Sequence, residues 1–222
     1  SETSLIEDAT QCLRDQVLIR LLRRTGARVS EILKLEEEDF DFDELQIQIE
    51  HEKMRISLSC PECGGRLSKK SVFCQACGQA VKHVVSKATA ERHLRTIPVD
   101  EGTLDLVRQY IRQGNITEVN GNRRLLPISR QYAWAIVKAC ADRAGFTEII
   151  NPKNKKRHHV SPHKLRDAFA TDAMLQKPSM EDAHILQLIM GHQNISTTMN
   201  YSKVDDKKMR NYYDDLMKNR NK

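Results

Sequence analysis

The sequence predicts an α+β fold that is mainly helical, with a small antiparallel sheet and a cysteine-bearing insert. Three observations carry this expectation. Apolar residues recur at helical spacing through the first 35 residues and again after Asp100. Between these stretches Leu45, Ile47 and Ile49 alternate with polar residues, the period of a half-buried strand. Two closely spaced cysteine pairs then interrupt the extended region.

Taken in order, residues 5–24 place Ile6, Ala9, Leu13, Val17, Leu18, Leu21 and Leu22 at helical spacing, and Thr25-Gly26 stops that helix. A second, short helix follows at about 29–35. Leu45, Ile47 and Ile49 form one strand, and Ile56 and Leu58 belong to a second. Val81, Val84 and Val85 resume extended character. Residues 92–99 read as a further strand, with Pro98 at an edge or a strand end. Segments 101–113, 129–145, 163–176, 181–190 and 203–218 each carry a 3.6-residue pattern. Asp100 and Ser129 stand where they can cap the first two of these.

A chain of 222 residues buries one good core, or one domain and a small insert. With 39% hydrophobic and 30% charged residues it reads as soluble and globular rather than disordered. No apolar run approaches the roughly 20 residues of a membrane span, and no signal-peptide pattern opens the chain. A cytoplasmic protein without a membrane partner is expected. The net charge of +6 permits nucleic-acid binding without proving it. The charge is uneven: residues 36–44 are acidic, whereas 153–166 (KNKKRHHVSPHKLR) is dense in cations and reads as a loop leading into a helix. That loop either contacts phosphates or is a solvated surface.

Six cysteines occur. Cys12 and Cys140 stand alone in apolar helical patterns and read as buried small hydrophobes. The other four form two Cys-x-x-Cys-Gly knuckles, Cys60/Cys63 and Cys74/Cys77. Two intervening residues let both thiolates of a knuckle face one ion, and the glycine allows the tight turn behind them. Such a closed four-cysteine site suits structural Zn²⁺, one per chain, and leaves no open position for substrate. Iron is the weaker competitor. The ribbon spans 57–82. Its Arg66, Lys69, Lys70 and Lys82 either touch phosphates or decorate a self-folding staple or protein-contact surface.

Four further segments bear chemistry-capable side chains. Thr25-Gly26-Ala27-Arg28-Val29-Ser30-Glu31 puts an arginine at a Gly-marked turn before a helix. His163-Lys164-Leu165-Arg166 starts another helix, with His163 and Arg166 on one face. Gly191-His192 follows an apolar helix, and Tyr201 lies nine residues beyond His192, in Thr197-Thr198-Met199-Asn200-Tyr201. In this order and spacing these residues resemble the tyrosine recombinase family of phage integrase and Xer-like enzymes. Arg28 matches the family's first arginine, His163 and Arg166 its His-x-x-Arg box, His192 its Gly-His position and Tyr201 its nucleophile. Lys87, just before RHLRTIPV, stands where the family has its hairpin lysine. The glycines that usually flank that lysine are absent, and Lys82 is the alternative. Arg92 or Arg95 reads instead as a phosphate binder, and Glu31 either buttresses an active-site cation or pairs on the helix surface.

The resemblance implies a tyrosine-recombinase catalytic domain over 1–222 with an inserted zinc ribbon, and without the N-terminal helical domain that family members also carry. It implies site-specific cleavage and rejoining of double-stranded DNA through a 3′-phosphotyrosyl link at Tyr201. Arg28 and Arg166 would hold the nonbridging oxygens, His163 and His192 would donate hydrogen bonds, and Lys87 would protonate the leaving oxygen. Catalysis would need no metal and no ATP. Tetramers on paired sites, exchanging a C-terminal segment such as 203–218, would follow. A ribbon within the hairpin is unusual for the family and points to a mobile-element integrase. The alternatives are a non-enzymatic zinc-ribbon DNA-binding protein and a type IB topoisomerase-like enzyme.

Overall fold

Helix α2 (Leu13–Thr25) organises the core: it is amphipathic, and Val17, Leu18, Ile19, Leu21 and Leu22 on its apolar side are all buried. The computed structural model describes residues 2–68, 71–81, 85–119, 121–150, 155, 157–176 and 179–191, without the side chains of 51–57 and 85–92. Around α2 pack α1 (Glu2–Asp8), α3 (Val29–Ile32), α4 (Glu101–Arg112), α5 (Arg130–Arg143) and α6 (Pro162–Gln176). Helix α7 (Met180–Met190) packs on α6 through Ala170, Met174, Ala183, Leu186 and Met190.

The side-chain caps behave as the sequence suggests. Asp100 accepts the Thr103 amide at 3.1 Å, and Ser129 accepts that of Tyr132 at 3.1 Å. Ser179 does the same for Asp182 at 3.0 Å. Each satisfies an N–H that the first helical turn leaves without a partner.

The expected single helix over 5–24 is instead two helices. Buried Glu7 accepts from Arg20 and, at 2.7 Å, from Arg23. In one continuous helix those partners would lie about 20–24 Å along the axis, so the chain reverses between α1 and α2. The reversal leaves Cys12 exposed at the N-cap of α2, correcting its reading as a core residue; Cys140 is buried as expected. Helix α3 is also shorter than the expected 29–35. The chain leaves it so that the Lys34 and Leu35 carbonyls can accept from Arg124 and the Leu125 amide.

The main sheet is antiparallel. Strand β1 (Phe40–Asp41) pairs with β2 (Gln46–Ser59), with Phe40 opposite Ile47. Strand β3 (Arg66–Leu67) pairs with the far end of β2, and β4 (Val85–Pro98) also pairs with β2. The two expected strands at 45–49 and 56–58 are therefore one. Two small hairpins fall between the expected helices, where no strand was expected: β5 (Thr117–Val119) with β6 (Asn122–Arg124), and β7 (Ile149–Ile150) with β8 (Arg157–His158). The first had a signal in Asn120-Gly121, a two-residue hairpin dipeptide, and Gly121 takes φ 81°.

The chain divides into two units, Ser1–Ile49 with Arg95–Lys222, and Glu50–Leu94. The second contains the whole cysteine insert. Among the described residues no helix is long and apolar enough to cross a membrane. The side chain of Lys87 and all of His192, Tyr201, Lys69, Lys70, Lys82 and 203–218 lie outside the described residues.

Candidate active site

The first arginine is placed by local chain chemistry. Helix α2 ends at Gly26 with φ 60°, and a Cβ there would run into the Phe169 ring. The Thr25 hydroxyl donates to the Leu21 carbonyl at 2.7 Å and accepts the Ala27 amide at 3.1 Å. This holds the turn that presents Arg28 as N-cap of α3. Three residues on, the Glu31 carboxylate reaches back to the Arg28 amide at 2.9 Å and to its Nη1 at 2.8 Å. Only the Glu31 half of a capping box is present, since a guanidinium cannot accept: the Glu31 amide donates to the Arg28 carbonyl, and Arg28 offers two donors to the Glu31 carboxylate.

Glu31 is only 4% exposed, and its Oε2 also accepts from Arg95 Nη2 at 2.6 Å. Of the two readings of Glu31, the geometry selects the buttress. Burial alone pushes its carboxyl up. The hydrogen bond and charge of Arg95, with the Arg28 amide and guanidinium, outweigh burial and hold it below the usual carboxylate range. The Arg95 side chain, read from sequence as one of two alternative phosphate binders, is 12% exposed, and its Nε donates to the Ile189 carbonyl at 2.9 Å.

Arg166 is buried on α6. Its Nη1 donates to the Gly26 carbonyl and its Nη2 to that of Met190 at 2.8 Å. Both acceptors sit at helix C-termini, where the exposed carbonyls favour a cation. His163, one turn earlier, is exposed, with Nε2 3.7 Å from Asp167. Arg28, His163 and Arg166 line one cleft of about 490 Å³, so three of the expected catalytic residues converge. Ser30, Arg130 and Trp134 share its wall. The sequence reading missed Arg130 and Trp134, although their i, i+4 spacing puts both on one face of α5, beside buried Ala133 and Val137.

In the second unit the four knuckle cysteines come together. Their sulfurs all lie within 4.8 Å of one another, with Cys60–Cys77 at 3.8 Å and Cys63–Cys74 at 3.6 Å. Four sulfurs bound at about 2.3 Å around a tetrahedral ion lie about 3.8 Å apart, so the donor set fits such an ion. The Cys77 and Ala76 amides point at the Cys74 sulfur and draw its thiol down to about 7. At Cys63 the Gly65 amide acts downward, but the Cys77 and Cys74 sulfurs outweigh it and push that thiol up to about 12. Four thiolates repel one another, and a bound cation is what makes their joint deprotonation favourable.

The phage integrase family model matches residues 3–208, and the chain belongs to that family. It is 29% identical over 194 residues to the tyrosine recombinase XerD of Corynebacterium glutamicum, covering 86% of this chain and 49% of that protein. It is 27% identical over 217 residues to the tyrosine recombinase XerC of Staphylococcus haemolyticus, covering 95% and 56%. The chain thus spans about half the length of the curated relatives it matches. Its fold is that of tyrosine recombinases. The crystal structure of XerA recombinase superposes with a TM-score of 0.60 at 19% identity, covering 97% of this chain and 62% of that one. The Tn1549 transposon integrase in complex with transposon right-end DNA gives 0.56 at 18% identity, covering 91% and 58%.

A depressed carboxyl contributes stability that is full above its ordinary value, near 4.5, and is lost as pH falls through its lower folded value. Glu31→Gln should therefore remove part of the acid-side loss of stability below about pH 4.5 while lowering stability at neutral pH. Urea midpoints measured from pH 3 to 7 check this.

Proposed function

We propose that this chain is the catalytic part of a site-specific DNA recombinase of the integrase type. The convergence of Arg28, His163 and Arg166 on one cleft, in a chain of the phage integrase family, carries this reading. The Tyr201 hydroxyl gives its proton to His163 as its oxygen attacks the scissile phosphorus, the bond to the 5′ oxygen breaks, and a 3′-phosphotyrosyl ester forms. Arg28 and Arg166 neutralise the charge that builds on the nonbridging oxygens, the main demand of phosphoryl transfer. His163 and His192 donate hydrogen bonds, and Lys87 delivers the proton that leaves with the 5′ hydroxyl. A 5′ hydroxyl from a partner strand then reverses the step. The ester conserves the energy of the broken bond, so ATP has no part to play. Tyr201→Phe should bind site-bearing DNA but form no adduct on a nicked suicide substrate. An adduct from the Phe variant overturns the assignment. Binding without any adduct from the unaltered chain favours a non-enzymatic DNA-binding protein, and adducts indifferent to sequence favour a type IB topoisomerase-like enzyme.

The four cysteines are read as a structural Zn²⁺ site, one ion per chain, supported by the sulfur separations. The ion takes no part in strand transfer and ties the two knuckles together. Protein purified without chelator should carry about one equivalent of zinc, and Cys74→Ser should lower that content. Elemental analysis that finds neither zinc nor iron refutes the site.

Self-association on DNA is read as exchange of residues 203–218 between protomers. The α6–α7 pair supports this, because Leu175, Ile185 and Leu188 are exposed beside its small apolar core. In sequence, Met209, Tyr212, Tyr213, Leu216 and Met217 supply an apolar stripe to cover it. A chain ending at residue 202 should sediment on paired sites as smaller complexes than the full chain. Unchanged complexes overturn the exchange.

A further inference from the structure

Arg95 lies outside the set of residues assigned to the chemistry, yet it meets two separate parts of the site's framework. We infer that Arg95 is a positioning residue, linking the turn that carries Arg28 to the end of α7 from which the chain continues to His192. This inference rests on the recombinase reading for its catalytic consequence and on geometry for the linkage itself.

The guanidinium makes two hydrogen bonds in different directions. Nη2 meets Glu31 Oε2 at 2.6 Å, and Nε meets the Ile189 carbonyl at 2.9 Å. Glu31 in turn holds both the amide and the guanidinium of Arg28. On its other side Arg95 lies against Gly191, where φ is 65° and a Cβ would stand 2.9 Å from Nη1. The backbone at 191 therefore takes a left-handed turn with no side chain between it and the arginine. His192 is the next residue in the chain. One planar fork thus spans α3, β4 and the C-terminal turn of α7. A lysine offers a single point of contact and cannot hold both acceptors in the same way.

The second consequence is electrostatic. Arg28 and Arg166 share a cleft, and two guanidiniums repel in the absence of phosphate. Glu31 offsets that repulsion, but a carboxylate with Arg28 as its main cation would hold Arg28 more firmly. Arg95 takes up part of the Glu31 charge. That leaves Arg28, whose side chain is 37% exposed, with a guanidinium available to meet a nonbridging oxygen.

Arg95→Gln, Arg95→Lys and the surface control Arg108→Gln separate this role from simple packing. Two readouts are used: single-turnover cleavage of a nicked suicide substrate, and the ring resonances of His192 in the free protein, assigned with His192→Asn. Arg95→Gln should leave DNA affinity within about threefold and slow cleavage of bound DNA about 30-fold or more. Arg95→Lys should recover folding stability but not the cleavage rate. The His192 resonances should shift in both Arg95 variants and not in Arg108→Gln. Unmoved His192 resonances, or full-rate cleavage by Arg95→Gln, overturn the inference. So does a loss confined to DNA affinity, which would make Arg95 a phosphate contact. If the unaltered chain forms no adduct, the recombinase reading fails, and the His192 resonances still decide whether Arg95 positions that segment.

Discussion

Glu31 keeps a negative charge where almost none of it meets water. A carboxylate in that position is stable only if its lost hydration is replaced, and here Arg28 and Arg95 replace it. Removing one partner of such a buried set costs about 3–5 kcal/mol, because the other is left charged and unpaired. The pairing therefore locks three elements at once: the turn after α2, the end of β4 and, through Arg95, the end of α7. The cleft is the surface that this lock leaves open.

Arg166 extends the same logic with backbone acceptors in place of a carboxylate. It binds the carbonyls that close α2 and α7, two helix ends that point their partial negative charge at one guanidinium. Gly26 and Gly191 are required here for a common reason. Each ends a helix with a positive φ, and each lies against a side chain, Phe169 or Arg95, that a Cβ would displace. The two arginines thus reach the C-terminal turn of α7 from neighbouring carbonyls, Ile189 and Met190. The cleft cations Arg28 and Arg166 are held by one shared carboxylate and by backbone carbonyls.

The cysteine unit follows a separate physical rule. Its small cluster, Cys60, Leu67 and Cys74, is too slight to be a core of ordinary kind. The Cys60 and Cys74 amides are answered by the Gly65 and Gln79 carbonyls at 2.8 Å, so the two knuckles repeat the same turn. Its four sulfurs lie within 4.8 Å of one another, and where apolar area is scarce small modules in general gain order from a metal or a disulfide.

Much was legible in the chain because it is local. Helix caps at Asp100 and Ser129, the paired knuckles, the turn at Gly26 and the facing of His163 and Arg166 each depend on residues within a few positions of one another. The order of the chemical boxes was legible too, and it named the family before any coordinate did. Local patterns failed where a distant partner intervened. The chain reverses before Cys12 because Glu7 meets Arg20 and Arg23, and α3 stops early because Arg124 and Leu125 claim the Lys34 and Leu35 carbonyls that follow it. By itself, then, the sequence determined which side chains are present and which turns carry them. Only the tertiary structure decided that Arg95 belongs to Glu31 and α7 rather than to solvent. It also decided that Arg28, His163 and Arg166 share one cleft. The reason is desolvation: a charge selects its partner when the fold buries it, and residues 31, 95, 166 and 190 are brought together only by that burial.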